Sequence, residues 1–176
     1  MSSDRVKVDT GTPGDSWRSP PEVLAPVRDF ARLAGLDGIA LDPCSGPGSI
    51  VGADIELTID SPVNGLDPYC DWGYLAGLGL VYVNPPYSRQ RPWMARCASL
   101  SSSGHVIALV NARTSDGWWP TPWPPAVCFW RGRIKFMEPS GARRSGNTQP
   151  SALLYWGAAP ALFEHVFTPF GRVVRS

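Results

Sequence analysis

What the chain lacks narrows its functions before any motif is considered. No stretch approaches the ~18 consecutive apolar residues of a membrane-spanning helix. The opening Met1-Ser2-Ser3-Asp4-Arg5 is not followed by an apolar run, so no secretory signal is expected. Cys44, Cys70, Cys97 and Cys128 are widely separated, and no pair has the spacing of a metal knuckle or a redox dithiol. They read as reduced, buried thiols of a cytoplasmic protein. His105 and His165 have no Ser, Cys or acid at triad or metal-site spacing, so neither is given a role and no metal is expected. No Gly-Lys-Ser/Thr follows a glycine loop, which excludes a phosphate-binding P-loop. Internal repeats are absent. Charged residues are scarce, 18% against 43% hydrophobic, the reverse of a disordered chain.

What is present fits one compact domain. The 176 residues suffice for one core and are too few for two ordinary ones. Nineteen prolines and eighteen glycines, without a repeat, imply rigid loops. The formal net charge of +1 argues against stable binding to nucleic acid, where phosphate neutralisation supplies much of the affinity. A local stripe is another matter. Arg131, Arg133, Lys135, Arg143 and Arg144 fall within fourteen residues, opposed only by Glu138. Such a stripe either touches a polyanion transiently or simply faces water.

The apolar pattern places the elements. Residues 1–16 are polar and read as a flexible lead, with the domain over 17–176. Leu24, Val27, Phe30, Ala31 and Ala34 recur at helical spacing after Pro21 and Glu22, and Gly35 stops the helix. Ile39-Ala40-Leu41 is a short strand ending at Asp42, and Pro43–Gly48 reads as a loop. Ile55–Ile59 is a strand, and residues 60–79 are turn-rich. Leu80-Val81-Tyr82-Val83 is a strand broken by Asn84-Pro85-Pro86. Pro92–Ser99 suits a helix, and Val106–Val110 a buried strand. Ala126–Trp130, Ile134–Phe136 and Ser151–Trp156 read as further strands, and Phe163–Phe167 as helix or strand. The expected fold is α/β, a mostly parallel sheet with an antiparallel edge.

Two loops follow apolar strands, and ligands bind beyond the carboxyl ends of such strands. In Asp42-Pro43-Cys44-Ser45-Gly46-Pro47-Gly48 the glycines permit close backbone approach to a ligand. Asp42 can accept hydrogen bonds from an ammonium or a ribose. A plain turn explains the same residues. Asn84-Pro85-Pro86-Tyr87 is more specific. Its two prolines immobilise the backbone. They can aim the Asn84 side-chain oxygen and the Pro85 carbonyl at one point, where two acceptors would bind an –NH2 group. Tyr87 can stack on the flat group carrying that amine.

Asn-Pro-Pro-Tyr at a strand end resembles the signature of class I amino-methyltransferases. Trp17-Arg18-Ser19-Pro20-Pro21, Leu41-Asp42-Pro43-Cys44, Asn64-Gly65-Leu66, Asp71-Trp72 and Asn84-Pro85-Pro86-Tyr87-Ser88 together resemble the phage-type DNA N-6-adenine methyltransferase (Dam-like) family. Gly132–Phe136 and Pro150–Leu154 are similar to its later blocks. The resemblance spans roughly residues 17–157. It implies a single-domain, Rossmann-like fold and S-adenosyl-L-methionine as cofactor. It implies cofactor contacts from Trp17, Ser19, Pro20, Asp42, Cys44, Gly46, Gly48 and Asn64, and from an acid after the second strand. Asp54, Glu56 and Asp60 compete for that place, with Asp60 favoured. It further implies catalysis by Asn84, Pro85, Pro86 and Tyr87 on an adenine flipped from DNA. Ser88, Arg131, Arg133, Lys135, Arg143 and Arg144 are the candidate DNA contacts. The setting it implies is the cytoplasm of a bacterial or phage-infected cell.

Two other readings remain open from the residues. The same motif serves methyltransferases acting on RNA or on a protein glutamine, since all present a planar amine. The glutamine enzymes usually carry a helical domain ahead of the cofactor loop, whereas about 40 residues precede Asp42 here. A catalytically inert nucleic-acid-binding module on this fold would be expected to lose the amine acceptors, yet Asn84 and Tyr87 are intact. Trp118, Trp119 and Trp123 either line a substrate cleft or staple a loop. Asp116 either serves the active face or forms a turn.

Overall fold

The computed structural model describes Asp15 and residues 17–58, 63–100, 104–143 and 148–176. Seven strands form one sheet: β1 (Ile39–Ser45), β2 (Ile55–Thr58), β3 (Leu80–Val83), β4 (His105–Asn111), β5 (Ala126–Trp130), β6 (Ser151–Trp156) and β7 (Gly171–Arg175). Their order is β2-β1-β3-β4-β6-β5-β7. β2, β1, β3 and β4 pair in parallel, and β6, β5 and β7 continue the sheet in antiparallel fashion. β1, β3 and β6 are buried throughout, and β4 all but its first residue, as strands covered on both faces must be. Both edges, β2 and β7, are short and largely uncovered.

Helices cover both faces. α1 (Pro21–Leu33) begins with a proline, whose missing N–H is an orphan there anyway. Val23, Leu24, Val27, Phe30 and Ala31 bury one side of it. Gly35, at φ +73°, ends the helix, and the Leu36 N–H turns back to the Ala31 carbonyl. α1 packs with α4 (Pro160–Phe167) over Leu80, Tyr82, Ile107 and Leu109. α2 (Trp72–Leu78) and α3 (Gln90–Ala98) cover Val81, Val83, Val106 and Ala108 on the opposite face.

Four local expectations change. β1 does not end at Asp42 but continues through Pro43 and Cys44 to Ser45. Its pairing with β2 shifts between Asp42 and Ser45, and such an irregularity accommodates a proline that has no N–H to give. The turn-rich stretch contains α2, capped by the Asp71 carboxylate accepting from the Tyr74 N–H at 3.0 Å. Three glycines in and beside its seven residues hide its periodicity. Ile134–Phe136 forms no strand; beside it, Met137 makes single bridges to Arg18 and Arg143. β7 was not anticipated, because Gly171–Arg175 pairs only with β5 at an exposed edge. Phe163–Phe167 resolves as helix, within α4.

Candidate active site

From β1 the chain steps one way to β2 and then crosses to β3 on the other side. The carboxyl ends of β1 and β3 therefore flank a topological switch point, where an open α/β sheet forms its crevice. Asp42, Cys44 and Ser45 come from β1, Asn84 from the end of β3. Trp17, Arg18 and Ser19, ahead of α1, complete a small solvent-open cleft with these residues.

Each wall is held by a specific contact. Asn84 donates its side-chain N–H to the Trp17 carbonyl at 3.1 Å. That bond orients the amide and turns its oxygen away from Trp17. The Ser19 hydroxyl and the Tyr82 phenol share a buried hydrogen bond of 2.7 Å. Arg18 is clamped by its backbone to Met137, N–H to carbonyl at 2.8 Å and carbonyl to N–H at 3.0 Å. Its Nε donates to the Pro47 carbonyl at 2.9 Å. A Cβ on Gly46 would run into the Arg18 guanidinium, and one on Gly48, at φ +76°, into the Pro139 carbonyl. Gly48, against backbone and at positive φ, is thus required by close approach, whereas at Gly46 the contact is with the movable end of a side chain.

The electrostatics centre on Asp42, only 3% exposed. Burial pushes its pKa up to about 7. The Cys44 N–H donates to it at 3.2 Å and opposes the rise, Glu56 adds to it, and Arg18 opposes it. Glu56 lies in register with Asp42 on β2, accepting from the Ser45 hydroxyl at 2.9 Å and the Gly52 N–H at 3.2 Å. Burial also drives the Cys44 thiol well above its usual value, against a hydrogen bond from the Asn84 backbone, so it is neutral.

Beyond β3 the chain makes a 3-10 turn over Tyr87–Arg89. Tyr87 packs edge-on against Trp17 (centroids 6.0 Å) and Phe136 (5.9 Å), while Phe136 stacks on Trp17 at 5.3 Å. The Tyr87 hydroxyl is buried and meets no hydrogen-bond partner among the described residues. Burial raises it far above the usual phenol value, so it is no base near neutral pH. Ser88 gives its N–H and hydroxyl to the Asp15 carboxylate at 3.1 and 2.6 Å.

The other expected residues are scattered. Pro20 caps α1 and is buried. The Asn64 side chain accepts from the Leu66 N–H in its own turn. The Asp54 N–H donates to the carbonyl of Ile39, at the start of β1, which places it at the end of the sheet opposite the cleft. Asp60 and Arg144 lie outside the described residues. Arg143 forms a bidentate pair with Glu22 at 2.6 and 3.0 Å. Burial raises the Glu22 carboxyl, and Arg143 more than reverses this, holding it below its usual value. Arg131, Arg133 and Lys135 are exposed, and Arg133 donates from Nε to the Thr148 carbonyl. Trp119 is buried between Trp118, Trp123 and Phe129 as a loop staple, and Asp116 binds the Trp118 indole and Arg113.

Three residues beside the site escaped sequence reasoning. Arg18 and Phe136 sat inside blocks whose other members were singled out. Asp15 carried no signal, since its partner Ser88 is 73 residues away.

A mixed sheet with a parallel core, helices on both faces and a cleft at the switch point defines a Rossmann-like methyltransferase fold. A family model described as DNA N-6-adenine-methyltransferase (Dam) matches residues 58–166, more than half of the chain, and the chain belongs to that family. No curated protein and no solved structure matches it. The matched region contains the Asn84 loop but not the Asp42–Gly48 segment. Among the described residues no helix is long and apolar enough to cross a membrane, and no cluster of His, Cys, Asp and Glu has the makings of a metal site.

Proposed function

We propose that residues 17–176 form one domain that transfers a methyl group from S-adenosyl-L-methionine to the N6 amino group of adenine in DNA, in the cytoplasm of a bacterial or phage-infected cell. The observation that carries this reading is the side-by-side placement of Asp42 and Asn84 at the switch point, in a chain of the DNA adenine methyltransferase family.

The donor set suits the cofactor's methionine end. A buried carboxylate and three serines, Ser19, Ser45 and Ser49, line the cleft. When bound, the sulfonium supplies an already activated methyl group. The chain's own task is then placement. The Asn84 oxygen and the Pro85 carbonyl accept hydrogen bonds from the amine. They favour a tetrahedral nitrogen whose lone pair is no longer spread into the ring. Asn84 is neutral and takes no proton; the amine releases it to water. Tyr87 offers its ring to the flipped base, not its buried hydroxyl.

Incubation with labelled S-adenosyl-L-methionine and adenine-unmethylated plasmid, followed by digestion to nucleosides, should give N6-methyladenine. Label in cytosine, in RNA or in a protein glutamine instead would overturn the substrate. The exposed Arg131, Arg133 and Lys135 are the better phosphate ligands, because Arg143 is spent on Glu22. Replacing all three with alanine should reduce the salt slope of DNA binding by roughly 2–3, about 0.9 for each phosphate left without its cation. An unchanged slope places the DNA elsewhere.

A further inference from the structure

Arg18 lies in the cleft yet takes no part in binding the amine, the base or the phosphates. Its position is built rather than incidental. The backbone is clamped on both sides by Met137, Nε is committed to Pro47, and the rest of the guanidinium lies on the bare Cα of Gly46. A half-buried cation is costly unless an anion meets it. Among the described residues no carboxylate comes within ion-pair distance of Arg18. Asp42 lines the same cleft and acts on it only at longer range. The cleft therefore carries one cation and one carboxylate, close but not touching. A ligand bearing both an ammonium and a carboxylate on neighbouring atoms satisfies both. A ligand with only a positive charge leaves Arg18 unmet and repelled. Guanidinium, with its planar fork of donors, is the side chain best matched to a carboxylate.

We propose that Arg18 binds the α-carboxylate of the cofactor and, together with Asp42, restricts this cleft to ligands with a zwitterionic amino-acid end. The proposal rests on the cofactor assignment made under the proposed function. Two ligands separate them in calorimetry: S-adenosylhomocysteine and its decarboxylated counterpart, the aminopropyl thioether of adenosine. The unaltered protein should bind the second about 10- to 100-fold more weakly, the scale of one charge-assisted hydrogen bond. Arg18→Gln keeps a donor for the Pro47 carbonyl but no charge. It should bind S-adenosylhomocysteine more weakly by the same factor and the decarboxylated compound no more weakly than the unaltered protein does. Arg18→Lys should retain most of the discrimination. Equal weakening of both ligands in Arg18→Gln, or discrimination intact in it, overturns the role of Arg18 while leaving the cofactor standing. A lysine variant no better than the glutamine one does the same. Failure of the unaltered protein to bind either ligand overturns the cofactor assignment, and this inference with it.

Discussion

Asn84→Ala should slow methyl transfer by about 10²- to 10³-fold, the scale on which one preorganised hydrogen-bonding group acts on a transition state. The amide has no titration of its own, so the loss should be the same across neutral pH. Its N–H is already occupied by the Trp17 carbonyl, which leaves the oxygen as the part proposed to serve the amine. Affinity for S-adenosylhomocysteine should change little, because the groups assigned to the cofactor are on β1 and ahead of α1. The measurement is single-turnover transfer beside calorimetry on one preparation. Full transfer in the variant refutes the amine-acceptor role. Loss of both transfer and binding assigns Asn84 to the architecture of the cleft instead.

Asp42→Asn should have opposite effects on stability and on binding. The native Asp42 carboxyl is raised to about 7, whereas in the unfolded chain it titrates near the ordinary value of about 4. Between these values the native state holds a proton that the unfolded chain has lost. Stability therefore falls as pH rises from about 4 through about 7 and is level above. Asparagine removes the cost of a buried charge, so the free variant should gain up to ~4 kcal/mol at pH 8 and nothing near pH 4. Binding runs the other way. The ionised carboxylate is the form that meets an ammonium. The unaltered protein should bind S-adenosylhomocysteine about tenfold more tightly at pH 8 than at pH 6, as the ionised fraction rises from roughly a tenth to roughly nine-tenths. In the variant that dependence should vanish, and affinity at pH 8 should fall about 10- to 100-fold. Thermal melts and calorimetry at the two pH values test both limbs. A variant destabilised at pH 8, or one that keeps the pH dependence, assigns Asp42 a structural role.

The contrast between these positions explains how far the sequence carried the site. Asn84-Pro85-Pro86-Tyr87 was legible because strand and break are contiguous. The Asp42 segment was not legible as structure. Two prolines and two glycines in its vicinity signal a loop, yet β1 runs through Pro43 on the strength of its pairing with β2. The helix over Trp72–Leu78 was hidden because its stability comes from burying Trp72 and Ala76, not from propensity. The stripe from Arg131 to Arg143 was visible as charge. That Arg143 would face Glu22, 121 residues distant, was not.

By itself the sequence determined the α/β class, the main strands of the sheet and the Asn84-Pro85-Pro86-Tyr87 break after β3. Those depend on local periodicity and on backbone restriction by proline, which a chain carries wherever it folds. Only the tertiary structure decided which residues share the cleft. Trp17 meets Phe136, Ser88 meets Asp15, and Arg18 settles on Gly46 through a crossing of distant segments. The Asp42 carboxyl acquires its raised pKa only when β1 is buried between β2 and β3 and water is removed. Charge in a site depends on what surrounds it, and those surroundings do not exist until the chain has closed.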